Sequence, residues 1–494
     1  MILNIINNRY GYEMEKLTMA FFPDRKIRQI NDAEVDENNL PEGETELISV
    51  ELKGEGDFRE AEVVYADCDS GVRIAETEQG DAATDMELGA GRALYRALSK
   101  ATGLKPAWGI LTGVRPSKVM TNHLNADGKT GAFTFFRDTL LVTPEKTELA
   151  YNVSVAEEPI IKSSGPDSYS LYVSIPFCPN RCSYCSFVSH SIASAGAKNL
   201  FPEYFEKLLE EVRETGRIAR EADLKLESIY IGGGTPSTLS AEQIRRLLSC
   251  INENFEVKEG TEFTFEAGRA DTITADKLRA IKEGGADRIS INPQTMTDDI
   301  LKSIGRSHTA QDVIDIFHVA REIGFDNINM DLIAGLPGDT PENFERSLKD
   351  VIALSPESIT VHTLAYKRSS SLVPTTELFA RGKETAQMVD SSNSNLYASG
   401  YEPYYMYRQT RSVGNLENVG WTKPGYKSYY NVYMMEECHS ILACGAGAVT
   451  KLKRFDSPDI KRVFNYKFPY EYVNRFEELM SHKKEIISFY NTEV

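Results

Sequence analysis

Cysteine is scarce in this 494-residue chain, with seven in all. Four of them, Cys68, Cys250, Cys438 and Cys444, are scattered without the pattern of a disulfide framework. That excludes a small disulfide-stapled secreted fold and fits a reducing compartment. Long apolar runs are also missing: no stretch approaches the ~18 consecutive residues that span a membrane. The opening "MILNIINNRYGYEM" has Asn and Arg where a signal peptide needs an apolar core, so a cytoplasmic protein is expected. Positive charge is in deficit, with 55 Lys and Arg against 73 Asp and Glu, a net charge of −18. That balance argues against a nucleic-acid partner, whose phosphates call for a basic surface. A local basic pocket for an acidic small molecule remains compatible with it. Internal repeats and low-complexity tracts are absent.

The length implies more than one domain. Residues 1–165 read as an N-terminal α+β region of unassigned role, with short strand-like runs and an acidic loop, "NDAEVDENNLPEGETE". In it, "GRALYRALSKATG" has helical spacing and stops at Gly103. "WGILTGVRPSKVM", with Arg115 and Lys118 around Pro116, reads as a surface turn leading into a helix, with an anion-contacting turn as the alternative. The loop-like "IIKSSGPDSYS" is the linker candidate. Within 166–370 the pattern changes to strand then helix, six times over. The strands are "LYVSI", "SIYIG", "FTFEA", "RISIN", "INMDLIAG" and "SITVHTLA". The helices include 201–220, 241–252, 274–283, 310–323 and 341–353. This alternation implies parallel strands with right-handed crossovers. Six units predict a partial (β/α)6 barrel of the TIM-like kind in an α/β chain, with chemistry at the C-terminal ends of the strands. Residues 371–494 read as a separate C-terminal extension that covers substrate.

The other three cysteines sit within eight positions, in "IPFCPNRCSYCSF": Cys178, Cys182 and Cys185. C-x3-C-x2-C directly after a strand suits a loop wrapped around a 4Fe–4S cubane, one thiolate per iron, with the fourth iron left for a cofactor. A Cys3His zinc site closed by His190 is the alternative. "YIGGGTPS" follows the second strand, where glycines let backbone approach closely. Glu266, Gln294 and Asp331 fall at later strand ends, and Arg306 in "LKSIGRSHT" could pair a carboxylate, or make a surface salt bridge.

C-x3-C-x2-C at the end of a first strand, followed by GGGTP, resembles the radical S-adenosylmethionine (radical SAM) enzymes. The resemblance implies a 4Fe–4S cluster and S-adenosylmethionine, one or two molecules, cleaved to a radical that takes hydrogen from substrate. The motifs "YVSIPFC", "GGGTP", Glu266, "NPQTM", "GRSHT" and "DLIAGLPGDT" are similar to those of the oxygen-independent coproporphyrinogen III oxidases. The long N-terminal region and "YRQTRSVGNLENVG" look like the HemZ-type coproporphyrinogen dehydrogenases. By this resemblance Tyr172 contacts the iron-bound S-adenosylmethionine, with Gly233 and Glu266 beside it. Tyr184, Gly234, Thr235, Gln294, Arg306, Asp331 and Ala365 line the rest of that pocket, and Val449 is a looser match. The sequence departs from the oxidase pattern at Ser174, where a histidine is usual, and at Phe187, where a fourth cysteine stands.

Residues 401–433 hold eight of the 24 tyrosines, with Arg408, Arg411, Trp421, Lys423 and Lys427 among them. They read as a wall for a flat tetrapyrrole with cations for its propionates, or as a β-rich surface. The activity implied is oxidative decarboxylation of coproporphyrinogen III to protoporphyrinogen IX in heme synthesis, fed by a low-potential donor such as flavodoxin or ferredoxin. A heme-binding chaperone on the same fold is the first rival, and a radical methyltransferase or heme-opening enzyme the second. A tRNA-modifying role is set further back by the charge.

Overall fold

A computed structural model describes residues 1–35, 40–54, 58–81, 85–185, 190–367, 370–372, 381–455 and 457–491. Phe187 lies outside the described residues. The chain forms two compact units: residues 1–154 with 374–386 and 407–417, and residues 155–373 with 387–406 and 418–494. The first boundary falls at 154/155, inside the helix Pro144–Ser163, and not in the linker candidate after it.

The first unit is built on a five-stranded mixed sheet of β1 (Ile2–Ile6), β2 (Arg28–Asn31), β3 (Glu46–Lys53), β4 (Arg59–Asp67) and β5 (Val72–Gly80), in the order 2-1-3-4-5. The helix Met86–Thr102 is capped by the Asp85 side chain and ends at Gly103, which adopts a left-handed φ of 69°. Its Arg92 and Arg96 reach Glu78, and Arg96 and Lys100 reach Glu76, both on β5. Pro116 opens the helix Pro116–Thr134, so the segment around Arg115 is the helix entry expected from sequence.

The second unit holds an 11-stranded sheet. All six strand runs form: β6 (Ser168–Ile175), β9 (Lys225–Gly233), β10 (Glu262–Gly268), β11 (Arg288–Ile291), β12 (Ile328–Ala334) and β13 (Ser358–Thr363). They pair in parallel in that order, with a helix after each of the first five. Two short strands, β7 (Phe177–Cys178) and β8 (His190–Ser191), bracket the cysteine loop. Side-chain order follows the pleat. Leu171, Val173, Ile229, Ile231, Phe263, Phe265, Ile289 and Ile291 are fully buried, while the alternate positions carry Tyr172, Tyr230, Glu266, Arg288 and Ser290. One face of the barrel is thus apolar and the other polar and aromatic.

The C-terminal residues are not the separate layer expected. β14 (Glu402–Arg408) and β15 (Glu417–Thr422) extend the sheet beyond β13, and β16 (Ser440–Cys444), β17 (Val449–Lys453) and β18 (Ile460–Phe464) extend it beyond β6. Six strands do not close a barrel, and each open edge presents unpaired N–H and C=O groups. The C-terminal strands satisfy both edges. Among the described residues no helix is long and apolar enough to cross a membrane.

Candidate active site

The cysteine loop leaves the C-terminal end of β6 and is tied down by backbone. Gly234 N donates to Ile175 O at 2.8 Å, Thr235 N to Phe177 O at 2.8 Å, and Ser183 N to Ile304 O at 3.1 Å. Gly233 (φ 114°) and Gly234 sit where any Cβ would meet protein. At Gly233 it would lie 2.9 Å from Ile175 N and Ser174 Oγ, and at Gly234 2.7 Å from Phe177 O. The glycines therefore serve the close approach of the β9 turn to the cysteine strand, a different use from the ligand approach expected.

None of the seven cysteines is in a disulfide. Cys178 and Cys182 are buried and Cys185 half-buried. Thr235 Oγ1 donates to Cys178 Sγ at 3.3 Å, and Arg269 Nη1 to Cys182 Sγ at 3.6 Å. Among the described residues no three His, Cys, Asp or Glu side chains are grouped for a single metal ion. The His190 ring stands edge-on to Phe468 at 6.2 Å. Cys178 and Cys182 receive hydrogen bonds at sulfur, as ligands of a multi-iron cluster with one cysteine per iron would.

Beside the loop lies a ring of half-buried polar groups at the strand ends. Glu266 on β10 is pushed up to about 8 by burial and by Asp331. Asp331 on β12 stays below the ordinary carboxylate range: burial opposes this, but His362 and Asn329 outweigh it. Asn329 Nδ2 donates to Asp331 Oδ1 at 2.7 Å, and His362 Nε2 lies 3.6 Å from Asp331 Oδ2. Arg306 Nη2 donates to the Tyr184 hydroxyl at 3.0 Å, while its Nε is buried with no partner among the described residues. Asn292 Oδ1 nearby is likewise buried and unmet, and Arg306 Nη1 reaches Asn292 O at 3.4 Å. Arg306 is thus no surface salt bridge. Gln294 takes a left-handed φ of 70°, a strained choice for a side-chain-bearing residue. Its N–H donates to Asp331 O at 2.9 Å and its C=O accepts from Ile333 N at 2.9 Å.

Below this ring three tyrosines stack. Tyr172 lies 6.3 Å from Tyr230 and from Tyr430, and Tyr230 lies 4.5 Å from Tyr430. Burial raises the Tyr172 phenol, with Glu266 adding to it. Tyr430, Tyr404 and Tyr405 from the tyrosine-rich stretch are buried, so they do not present the flat wall expected. Its cations are mostly committed too. Arg408 is buried and donates to Leu111 O, Gly113 O and Asn415 O. Lys423 bonds Ser355 O at 2.8 Å and Lys427 bonds Ala156 O at 3.4 Å, while Arg411 is exposed. Trp421 is fully buried, edge-on to Tyr397 at 4.8 Å.

Tyr172, Tyr184, Gly233, Gly234, Thr235, Glu266, Gln294, Arg306 and Asp331 are thus brought to one end of the barrel with the cysteines. Ala365 follows the end of β13, and Val449 pairs with Phe464 at the start of β17. Sequence reasoning missed Arg269, Tyr230, Tyr430, His308 and His362. The alternation in "SITVHT", which puts His362 on the same face as Thr360, was the available signal for the last.

Residues 172–351 match the model of the Radical SAM superfamily. The chain is 39% identical over 389 residues to the oxygen-independent coproporphyrinogen-III oxidase-like protein HemZ of Bacillus subtilis strain 168, covering 77% of each chain. It is 35% identical over 288 residues to the heme chaperone HemW of the same organism, covering 56% of this chain and 70% of that one. Among solved structures, coproporphyrinogen III oxidase (HemN) from Escherichia coli matches with a TM-score of 0.48 at 23% identity, over 66% of this chain and 73% of that one.

Proposed function

The chain belongs to the radical SAM superfamily, in the family that includes HemZ and HemW, and from that premise we propose that it is an oxygen-independent coproporphyrinogen III oxidase. The observation that carries the reading is the set of buried polar groups with no partner among the described residues, beside three cysteines of which Cys178 and Cys182 accept hydrogen bonds at sulfur, at the barrel's C-terminal end. A 4Fe–4S cluster with S-adenosylmethionine, when bound, supplies one-electron reduction and hydrogen-atom abstraction. The protein's part is to hold and orient. Cys178, Cys182 and Cys185 ligate iron. Glu266 and Asp331 receive the ammonium and ribose hydroxyls of the adenosylmethionine, and Arg306 pairs its carboxylate with a planar fork. The Tyr172–Tyr230–Tyr430 stack closes the barrel floor against water.

At the substrate, each of two propionates loses a hydrogen atom from the carbon next to the pyrrole, then one electron and carbon dioxide, leaving a vinyl group. The first electron leaves with the hydrogen atom and the second goes to an external one-electron acceptor. The relatives support tetrapyrrole as substrate class: HemZ is named oxidase-like and HemW a heme chaperone. Residues 371–494 cover the substrate in this reading, which the Ser174 Oγ to Ala446 O bond of 3.1 Å supports by holding the loop 445–448 against β6. One or two adenosylmethionines, and a flavodoxin or ferredoxin as electron source, complete the proposal.

The HemW relationship favours a second reading, a heme-binding protein without oxidase activity. Anaerobic incubation of cluster-loaded protein with coproporphyrinogen III, S-adenosylmethionine, a reductant and an electron acceptor separates the two. Two equivalents of carbon dioxide per porphyrinogen support the oxidase. Tight heme binding with no carbon dioxide released overturns it in favour of the chaperone.

A further inference from the structure

Arg269 leaves β10 one residue past Gly268 and turns back beneath the cysteine loop. Its side chain is only 4% exposed, and every nitrogen of its fork is engaged. Nε and Nη2 grip Asp271 in a bidentate pair, at 2.9 Å to Oδ1 and 2.7 Å to Oδ2. Nη1 donates to Asn180 Oδ1 at 2.6 Å and to Cys182 Sγ at 3.6 Å. Asp271 is steadied from the far side by the buried His308, whose Nδ1 lies 3.5 Å from Oδ1. A buried charge needs a partner, and Asp271 is that partner. The orientation this fixes points the remaining donor, Nη1, at a thiolate. Lysine has no rigid fork and could not grip Asp271 on one side while aiming at sulfur on the other.

We propose that Arg269 is a positioning and tuning residue that hydrogen-bonds the Cys182 sulfur of the bound cluster and raises its reduction potential, with Asp271 locking its orientation and moderating its charge. This rests on the reading that Cys178, Cys182 and Cys185 hold a 4Fe–4S cluster. The physical reason is one of sign. Reduction adds an electron to the cluster, and part of the added charge falls on the thiolate sulfurs, so a donor at sulfur stabilises the reduced form more than the oxidised one. Thr235 does the same for Cys178 with a neutral hydroxyl, and a charge-assisted bond is about twice as strong.

The test is a dye-mediated redox titration of anaerobically loaded protein, followed by electron paramagnetic resonance without S-adenosylmethionine, with iron and sulfide measured in parallel. Three proteins are compared: wild type, Arg269→Met combined with Asp271→Asn, and Asp271→Asn alone. The double variant leaves no unpaired buried charge. At the potential where wild type is half reduced, its reduced-to-oxidised ratio should fall about tenfold, which is about 59 mV for a one-electron couple. Asp271→Asn alone removes the moderating anion and keeps Arg269, so its ratio should rise by about threefold. A role confined to loop structure would shift both variants the same way or leave both unmoved, and either result overturns the proposal. Should the double variant fail to take up iron, the rise in Asp271→Asn still decides, since an unchanged or lowered ratio overturns it. A wild type that takes up no cluster instead removes the reading beneath it, so the two failures are distinct.

Discussion

Glu211, in the helix Ala195–Glu221, is fully buried and accepts four hydrogen bonds: from Gly445 N at 2.7 Å, Asn465 Nδ2 at 2.7 Å, the Tyr472 hydroxyl at 2.6 Å and Lys483 Nζ at 2.9 Å. Lys483 spends its other donors on Thr215 Oγ1 and Ala443 O. Among the described residues, Arg306 Nε beside the cysteine loop meets no partner, and neither do Asn292 Oδ1 and His308 Nε2. Both places lie inside the same unit, and both bury polar atoms. An unmet buried donor or acceptor costs about 1–3 kcal/mol, so a fold keeps one only where something else completes it. The Glu211 network is complete within the chain and clamps four C-terminal segments to the barrel. The Arg306 surroundings are not complete among the described residues, and in the proposed reading a ligand completes them.

The comparison breaks most fully at the cysteines. Replacing any one of Cys178, Cys182 or Cys185 by Ala should take iron from about four per chain to essentially none after anaerobic reconstitution. Cys438→Ala should keep it all. Iron analysis decides, and iron retained in a cysteine variant, or zinc in place of iron, removes the site.

The Glu211 network should answer in stability. Glu211→Ala leaves the Lys483 ammonium buried and unpaired, which costs on the order of 3–5 kcal/mol. Urea unfolding monitored by circular dichroism should show the midpoint falling accordingly. Restoring neutrality with Glu211→Ala and Lys483→Met together should recover much of the loss. A Glu211→Ala protein as stable as wild type would mean the network is ornamental and the contrast false.

Site variants should show the opposite signature. Asp331→Ala and Arg306→Ala each remove a charged hydrogen bond to the ligand, worth about 1.5–3 kcal/mol, so S-adenosylmethionine affinity should fall ten- to a hundred-fold. The Arg306→Ala unfolding midpoint should barely move, because Arg306 has few partners to lose, whereas Asp331→Ala also gives up Asn329 and His362. Calorimetric titration and urea unfolding on the same variants separate the two effects. Lost stability with unchanged affinity would transfer these residues to the structural class.

The barrel was legible because its pattern is local. Each of the six strand runs alternates or is wholly apolar, and most helix starts carry a cap, such as the reciprocal Ser240–Gln243 and Thr309–Asp312 boxes. The site residues named from motifs converge because motifs sit at strand ends, and strand ends share one side of a parallel sheet. What escaped depends on pairings that sequence does not display. Nothing in "SILAC" says that β16 lies parallel to β6, with Ala443 opposite Tyr172. Tyr430 looked like a surface aromatic, yet it stacks on Tyr230 and Tyr172, strand residues 200 or more positions earlier in the chain. Arg269 sits in "EAGRAD", where only the fold of the cysteine loop turns a turn residue into a donor to sulfur.

The smallest effect expected is a slope against pH, and it sharpens the contrast because only one of the two clusters should produce it. Burial and Asp331 raise Glu266 to about 8 from its ordinary 4.5. Between those values the folded protein holds a proton that the unfolded chain has released. Stability from this group is therefore fully present below pH 4.5 and is lost as pH climbs through 8. In the Glu211 network, Glu211 holds the Lys483 ammonium above its ordinary range despite burial, so that group titrates well above the window. Wild-type thermal unfolding, followed from pH 6 to pH 8.5 without ligand, should lose stability faster than Glu266→Gln, which cannot release a proton. The Glu266 carboxyl is half-buried and screened by solvent, so the difference in midpoint across the window should be on the order of 1 °C. The Glu211→Ala, Lys483→Met double variant, which removes both charges, should run parallel to wild type. Parallel slopes for wild type and Glu266→Gln would mean that Glu266 is already ionised at neutral pH. It would then be met within the chain, and the boundary drawn between a completed cluster and one awaiting a ligand would have to move to exclude it.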